Sequence, residues 1–397
     1  MLIPDDDHRA LAARLDLCHF EEDAPAMVFW HPRGWALYRE LEAAARAHIA
    51  AAGYREVRSP QLIRRPVWEK SGHWGKFHDA MFACGDDAAL KPVSCPGHIA
   101  IVKKLAPSWR DLPIRIAEFG LVHRDEPSAA LHGLMRLRQF CQDDGHIFCA
   151  DDQIFDEVER FCRDLPAFYR QFGFEEIEVA LSLRPEQRIG DDALWDRAEA
   201  ALAAAADRLR LPVKIQPGAG AIYGPKLEFV LKDRRGRSWQ CGTIQLDFVM
   251  PQRFDVRYVR ADGEKQHVVM LHRALYGSIE RFMGMLLEHH GAALPAWLAP
   301  EQVAILPVSE AHVEAAHALA ADLHGLRVRV DREDSLKRRI AVAHHDGVPF
   351  QIILGDRELA DDSVAIRARD AQWWSPRHLL RDDLVSRCRA SPRPSNP

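Results

Sequence analysis

The sequence predicts an α+β domain built on an antiparallel sheet, followed by a small α/β domain. Three observations lead there. From "RIAEFGLVHRDE" onward, strand-like runs are joined as hairpins and helical runs are grouped around them, the pattern of an α+β domain. At residues 293–300, "ALPAWLAP" brings two prolines and low charge, the composition of a short, stiff connection. After it, strands and helices alternate, which predicts a mostly parallel sheet covered by helices.

Taken in order, "GWALYRELEAAARAHIAAAG" reads as a helix, because Leu37, Leu41, Ala45 and Ile49 repeat every four residues and Gly53 can cap its end. "YREVRSP" is a short strand stopped by Pro60. "RIAEFGLVHRDE" and "LMRLRQFCQDDGHIFC" form a hairpin across "PSAALHG". "DQIFDEVERFCRDLPAFYRQFG" is a helix with Ile154, Val158, Phe161, Leu165 and Phe168 inward, and the Ala-rich "DALWDRAEAALAAAADRL" is another. "KLEFVLKD" and "SWQCGTIQLDFVM" alternate as antiparallel strands, and "RALYGSIERFMGMLLEHH" is a helix after a strand. Beyond the connection come strand "QVAILPV", helix "EAHVEAAHALAADLHG", strand "LRVRVD", helix "SLKRRIAVAHH" and strands "FQIILG" and "SVAIRAR". The Pro/Ser-rich end, "SPRPSNP", reads as disordered.

Composition narrows the function. A chain of 397 residues, 47% hydrophobic, can bury two cores. Its 53 basic and 58 acidic residues give a net charge of -5, so a nucleic-acid partner would have to use local basic patches. The eight cysteines show no framework spacing and read as reduced thiols, which predicts a cytoplasmic protein. The start is polar and acidic, unlike a leader, and no apolar run approaches the ~18 residues that would span a membrane.

One stretch stands out. In "MRLRQFCQDDGHIFC" every second residue gives Arg136, Arg138, Phe140, Gln142, Asp144 and His146, all on one face of a strand, while Met135, Leu137, Gln139, Cys141 and Ile147 take the more apolar face. Such a face is either solvated or the floor of a pocket for an anionic, amine-bearing ligand.

The run "FGLVHRDEPSAALHGLMRLRQFCQDDGHIFC" resembles the second signature motif of threonyl-tRNA synthetases, which are class II aminoacyl-tRNA synthetases. So do "YREVRSPQLI", "KPVSCPGH", "AIYGPKLEF", "WQCGTIQLDF" and "LHRALYGSIERF". The likeness runs over about residues 8 to 370. It implies a class II catalytic domain at 1–296, an anticodon-binding α/β domain at 297–388 and a disordered tail at 389–397. It also implies ATP-dependent activation of L-threonine and transfer to tRNA-Thr by a homodimer. Members usually carry N-terminal and editing domains, and this chain starts where the catalytic domain would, so the resemblance implies no editing in cis. An alternative is a paralogue that activates threonine or a β-hydroxy amino acid for an acceptor other than tRNA. A non-catalytic regulator fits less well, because the ATP-contacting positions carry the expected residue types.

Residue by residue, the resemblance puts Arg124 on the α-phosphate and the amino-acid carboxylate, Glu126 on the adenine amine and Phe140 against the ring. Arg136 and Arg281 hold the outer phosphates, and Gln240 lies on the ATP side. Arg124, Arg281 and His73 are the implied catalytic set. Such chemistry is mostly positioning and charge neutralisation, with Mg²⁺ accompanying ATP. Gln142, Asp144, Tyr223 and Gln245 would line the threonine pocket, and Cys95, His146 and His272 would hold one Zn²⁺. A metal that must ligate a hydroxyl rejects valine where an apolar pocket separates isosteres by only ~100-fold. Serine keeps the hydroxyl. Gln240 and Gln245 have opposite parity, so both face the pocket only if their strand is irregular. Glu358 and Arg367 match anticodon readers. The departures are "REDS", placing Glu333 or a neighbour where a base-reading Asn is usual, a "DAQWW" in place of a basic loop, and Cys141 and Gly145 beside the metal, where they could alter substrate or inhibitor fit.

Overall fold

The computed structural model describes residues 4–234, 236–369 and 371–389, so the tail expected to be disordered lies, beyond Arg389, outside the described residues. Helix α1 (His8–Arg14) starts on the side chain of Asp7, which accepts from the Arg9 N–H. Helix α2 (Pro32–Ala51) starts on a proline, whose missing N–H is harmless there, and ends before Gly53, whose φ of +79° suits a residue without Cβ. Its predicted stripe, Leu37, Leu41, Ala45 and Ile49, is buried.

Eight strands form the large sheet: β1 (Arg55–Glu56), β2 (Ile114–His123), β3 (Gln139–Cys149), β4 (Ile177–Ser182), β5 (Val213–Gln216), β6 (Lys226–Lys232), β7 (Ser238–Asp247) and β8 (Val269–Ala274). Their order is β5-β4-β6-β7-β8-β3-β2-β1. Every pairing from β4 to β2 is antiparallel, and only the edge strands β1 and β5 run parallel to their neighbours. One face packs on α2, α4 (Ile154–Arg170), α5 (Asp192–Arg208) and α6 (Ile279–His290), with Ile147, Leu165, Leu202, Ile244, Leu271 and Phe282 in the shared core. Full burial of side chains such as Leu165 stabilises by roughly 1.5–3 kcal/mol each. Helix α3 (Cys95–Leu105) lies over the other face, in a smaller core with Ile116, Phe148 and Met270.

Three boundaries differ from the sequence reading. The long strand starts at Gln139, because Gly133–Met135 is a 3-10 turn whose Gly133 has φ +48°. Strand β7 stops at Asp247, whose side chain accepts from Val249 N–H at 2.7 Å and Met250 N–H at 2.9 Å and so starts a short helix. Helix α6 starts only after Ser278, which accepts from Arg281 N–H.

The connection at 293–300 is a packed joint. Leu294 and Leu298 are buried in the large core, and Arg327 of the second domain donates to Trp297 O at 2.6 Å, Ala299 O at 2.9 Å and Glu40 at 2.5 Å. The second sheet has strands β9 (Val303–Pro307), β10 (Val328–Val330), β11 (Phe350–Leu354), β12 (Ser363–Arg367) and β13 (Gln372–Pro376), in the order β10-β9-β11-β12-β13. The first two pairings are parallel and the last two antiparallel, so the sheet is mixed. Strand β13 falls where the sequence suggested an altered loop. Its Trp373 packs toward the core and donates to Asp383 at 2.7 Å, while Trp374 stays exposed.

Candidate active site

The face of the sheet opposite the main helices carries the polar row. Registers place Phe140, Gln142, Asp144 and His146 of β3 across from Val122, Gly120, Glu118 and Ile116 of β2. His146 lies across from His272 on β8, and His272 across from Gln245 on β7. The parity conflict between Gln240 and Gln245 disappears because the β6–β7 register shifts: Phe229 pairs with Gly242, but Val230 pairs with Gln240. The extra residue, Cys241, is a bulge that returns Gln240 to the face of Thr243 and Gln245.

A cavity of about 400 Å³ opens on this face, lined by Arg124, Glu126, Arg136, Phe140, Gln142, Gln240, Thr243 and Arg281. Its cations are arranged for an anion. Arg124 lies 5.2 Å from the centre of the Phe140 ring and is held by Pro92 O at 3.1 Å. Arg281 Nε and Thr243 Oγ1 are buried without a partner among the described residues, two polar atoms whose burial is costly until something binds them. Arg136 is turned onto Glu126 at 2.8 Å, so two expected ATP contacts here satisfy each other. Thr243 was missed by the sequence reading, although its parity with Gln245 signals it.

On the same side of the sheet, outside the lining of this cavity, lie further aromatic and titratable groups. The Tyr223 ring lies 4.8 Å from His272 and 6.3 Å from His73. Gln245 Nε2 donates to Gly224 O at 3.0 Å, which fixes its amide. Ser71 donates to Trp68 O, so it accepts from His73 Nδ1–H at 2.8 Å, leaving Nε2 with a free lone pair. Burial pulls the His73 pKa down to about 4, which keeps the ring neutral. Burial also raises the Asp144 carboxyl, and Asp144 lies 3.6 Å from His146.

Behind this wall runs a buried chain of contacts. Asp247 Oδ2 meets His272 Nε2 at 3.0 Å, and His272 Nδ1 meets His146 Nε2 at 2.9 Å. His146 Nδ1 meets His98 Nδ1 at 2.7 Å, and His98 Nε2 meets Glu118 Oε2 at 3.1 Å. Carboxylates accept at both ends, so four contacts need four N–H protons, and three neutral imidazoles supply three. A cation taking the facing lone pairs of His146 Nε2 and His272 Nδ1 removes the deficit, because each ring then donates its remaining N–H down the chain. The residues therefore fit a metal. Of the three residues expected as ligands, His146 and His272 meet at 2.9 Å. Cys95 is buried at the start of α3, its thiol raised by burial and by Asp144 and Asp247, but it does not close a three-donor cluster with the histidines. Among the described residues that tight grouping occurs at Asp7, His8 and His132. His98, Glu118 and Asp247 were not singled out from sequence. His98 follows Cys95 by three residues, one helical turn, and Asp247 shares the parity of Gln245.

Cys141 and Gly145, expected beside the metal, face the other way. Cys141 is buried in the large core, and Gly145 lies against Arg273, whose Nε is 2.4 Å from where a Cβ would sit. In the second domain, Glu358 accepts from Gly355 N–H at 3.0 Å at the start of a short helix, and Arg367 is exposed at the end of β12.

Residues 82–290 match the model of the tRNA synthetase class II core domain (G, H, P, S and T), and residues 302–389 match an anticodon binding domain. A threonine–tRNA ligase of Laribacter hongkongensis is 51% identical over 372 residues, 92% of this chain and 59% of that protein. One from Dichelobacter nodosus is 48% identical over 372 residues, 92% of this chain and 58% of that protein. The chain thus spans somewhat under two thirds of the length of these relatives. The crystal structure of the RNA binding domain of threonyl-tRNA synthetase from Cryptosporidium parvum superposes with a TM-score of 0.93 at 37% identity, covering 98% of this chain and 99% of that one. Fold and likeness agree: the chain belongs to the threonyl-tRNA synthetase family of class II synthetases, with a synthetase core followed by an anticodon-binding domain.

Proposed function

We propose that the chain is a threonine–tRNA ligase, which activates L-threonine with ATP and passes it to tRNA-Thr. The observation that carries this is the shared face: a cationic cavity with unpartnered Arg281 and Thr243 atoms adjoins the His146–His272 pair and Asp144 on one pleat. Arg124 steadies the α-phosphate and the threonine carboxylate, Phe140 stacks on adenine and Gln240 lines the ATP end. Glu126 and Arg136 exchange their mutual pair for the adenine amine and the outer phosphates, which Arg281 shares, with Mg²⁺ accompanying ATP. Charge neutralised in a half-closed site is worth more than in water. Neutral His73, with its free Nε2, takes the ribose hydroxyl proton in the transfer step.

The metal in this reading is Zn²⁺, held by His146, His272 and Cys95. When bound, it supplies a Lewis-acid position for the amino and hydroxyl groups of threonine. Asp144, Gln142, Tyr223 and Gln245 close around the side chain, and Asp144 accepts from the hydroxyl. Glu358 and Arg367 read anticodon bases. Residues 1–296 form the catalytic unit and 297–388 the anticodon unit of a cytoplasmic homodimer. Among the described residues no helix is long and apolar enough to cross a membrane.

The second reading, activation for an acceptor other than tRNA, draws on Glu333 and the β13 strand, where the resemblance expects an Asn and a basic loop. The test is aminoacylation of tRNA-Thr with labelled threonine, run beside threonine-dependent pyrophosphate exchange. Charging supports the ligase. Exchange without charging means that the adenylate forms but is not passed to tRNA, which favours the second reading.

A further inference from the structure

The N-terminal helix contributes a residue that the proposed reaction does not use. His8 on α1 is fully buried, although it belongs to neither the sheet nor the cavity. Its Nδ1 lies 2.7 Å from Glu288 Oε1, and its backbone N–H donates to the same oxygen at 3.2 Å. Its Nε2 accepts from the Leu134 N–H at 3.1 Å. Both contacts together require the neutral Nδ1–H tautomer: Nδ1 donates to the carboxylate, and Nε2 offers its lone pair to the amide. With both ring nitrogens engaged, His8 has no donor left for a metal, so the grouping with Asp7 and His132 is not a cation site.

What His8 joins is informative. Leu134 is at the tip of the turn His132–Arg136, closed by His132 N–H to Arg136 O at 3.2 Å and Met135 N–H to His132 O at 2.9 Å. Neither bond uses the Leu134 N–H, and its other partner would be solvent that cannot reach a buried amide. The turn approaches so closely that a Cβ on Gly133 would fall 2.3 Å from His8 Nε2. Leu134, Met135 and Arg136 then line the cavity. Glu288 sits seven residues after Arg281 on α6, two turns along the same face. Leu134 and Met135 also pack on Gly284 of that helix. His8 therefore references the turn that presents Arg136 to the helix that presents Arg281.

We propose that His8 is a positioning residue for the ATP site: it sets the separation of the two guanidiniums that grip the outer phosphates. This rests on the reading of the cavity as the ATP site. Losing the Nε2 acceptor frees the turn, so ATP binding suffers while the threonine end, on the far side of Arg124, does not.

Two isosteric substitutions divide the two contacts. Gln at this position places its terminal group near Nε2 and can still accept from Leu134. Asn places its amide near Nδ1 and keeps only Glu288. The experiment titrates Mg-ATP, and separately threonine, into the full-length chain and into His8→Gln, His8→Asn and His8→Leu, by calorimetry. We expect His8→Leu and His8→Asn to weaken ATP about tenfold, the loss of one buried hydrogen bond, and His8→Gln to stay within about threefold. Threonine affinity stays within about twofold throughout. Gly133→Ala, which pushes the turn off His8 from the other side, weakens ATP in the same way and carries the test should His8→Leu not fold. The inference is overturned by wild-type ATP affinity in His8→Asn and Gly133→Ala, or by an Asn variant that binds ATP better than the Gln variant. A wild-type chain that binds no ATP overturns the reading of the cavity itself, and the inference with it.

Discussion

The two sheets of this chain treat their faces differently. In the second domain both faces are apolar: Val303, Ile305, Ile352 and Leu354 enter one core, and Ala304, Leu306 and Ala343 another. Its recognition candidates, Glu358 and Arg367, sit at element ends. In the first domain one face is core, and the other carries both the smaller core under α3 and a half-buried polar row from Phe140 to His146. A sheet covered on both sides can work only at its rim. A sheet left partly open on one side can work across its pleat, where backbone pairing fixes each side chain to its neighbour.

The largest test of that difference is charge in the pleat. Arg281→Ala and Arg124→Ala remove guanidiniums from a cavity that already holds unpartnered donors, so threonine-dependent pyrophosphate exchange should fall by about 10²–10³-fold. Exchange within about tenfold of wild type in Arg281→Ala would move the ATP site elsewhere.

Next is the buried chain behind the row. Glu118 accepts from Ser59 Oγ at 2.7 Å and from Ser59 N–H at 3.0 Å, and it is paired with Lys91 and His98. Burial alone would raise its pKa, but the hydrogen bonds from His98, Lys91 and Ser59 hold it at about 2. Its folded pKa is depressed, so the stability it contributes is present above the ordinary carboxylate value. It is lost as pH falls from there through about 2. Glu118→Gln strands Lys91 and should cost about 3–5 kcal/mol in denaturant unfolding at neutral pH. The gap between variant and wild type should narrow in acid. His98→Ala, by contrast, should lower zinc affinity by about 10–100-fold in chelator competition, because it removes the partner that orients His146. Unchanged affinity there would break the assignment of the chain as the metal's support.

The rim should respond more weakly and in a different assay. Glu358→Ala and Arg367→Ala are expected to raise the tRNA KM about tenfold and leave pyrophosphate exchange untouched. A loss of exchange would mean that the two sheets are coupled through the Arg327 joint rather than working separately.

The contrast also explains what the sequence revealed. Phe140, Gln142, Asp144 and His146 of the polar row were legible because a strand alternates with a period of two, and β3 keeps that period from Gln139 to Cys149 without interruption, whereas Arg136 and Arg138, read onto the same strand, precede it. Gln240 was ambiguous because a bulge leaves no period to follow. The mixed second sheet was read as mostly parallel because β13 begins within "DAQWW", at Gln372, where polar residues and adjacent tryptophans conceal the alternation. The links from His98 to Glu118 and from His8 to Leu134 join residues far apart in the chain. No local pattern encodes such contacts. They follow from pairing registers and helix docking that exist only once the sheet has formed.

The smallest effect should come from the two departures in β3, and the faces explain why. Cys141 and Gly145 share the strand with Gln142 and His146, yet they project into the helix-covered side. Cys141 is buried there, and its backbone N–H donates to Glu280 Oε2 at 3.0 Å. A threonine at that position keeps the backbone bond and changes little volume. Gly145→Ala has a steric consequence, since its Cβ would meet the Arg273 guanidinium, whose Nη1 donates to Asp143 Oδ2 at 3.2 Å. The guanidinium is the far end of a flexible side chain and can yield, at a cost of about 1–2 kcal/mol for the crowded core. The expected outcome for Cys141→Thr with Gly145→Ala is a melting temperature lowered by a few degrees, about 2–4 °C per kcal/mol, with threonine KM and zinc content unchanged. A changed threonine KM would show that the core face communicates with the pleat, and the separation of the two faces would have to be abandoned.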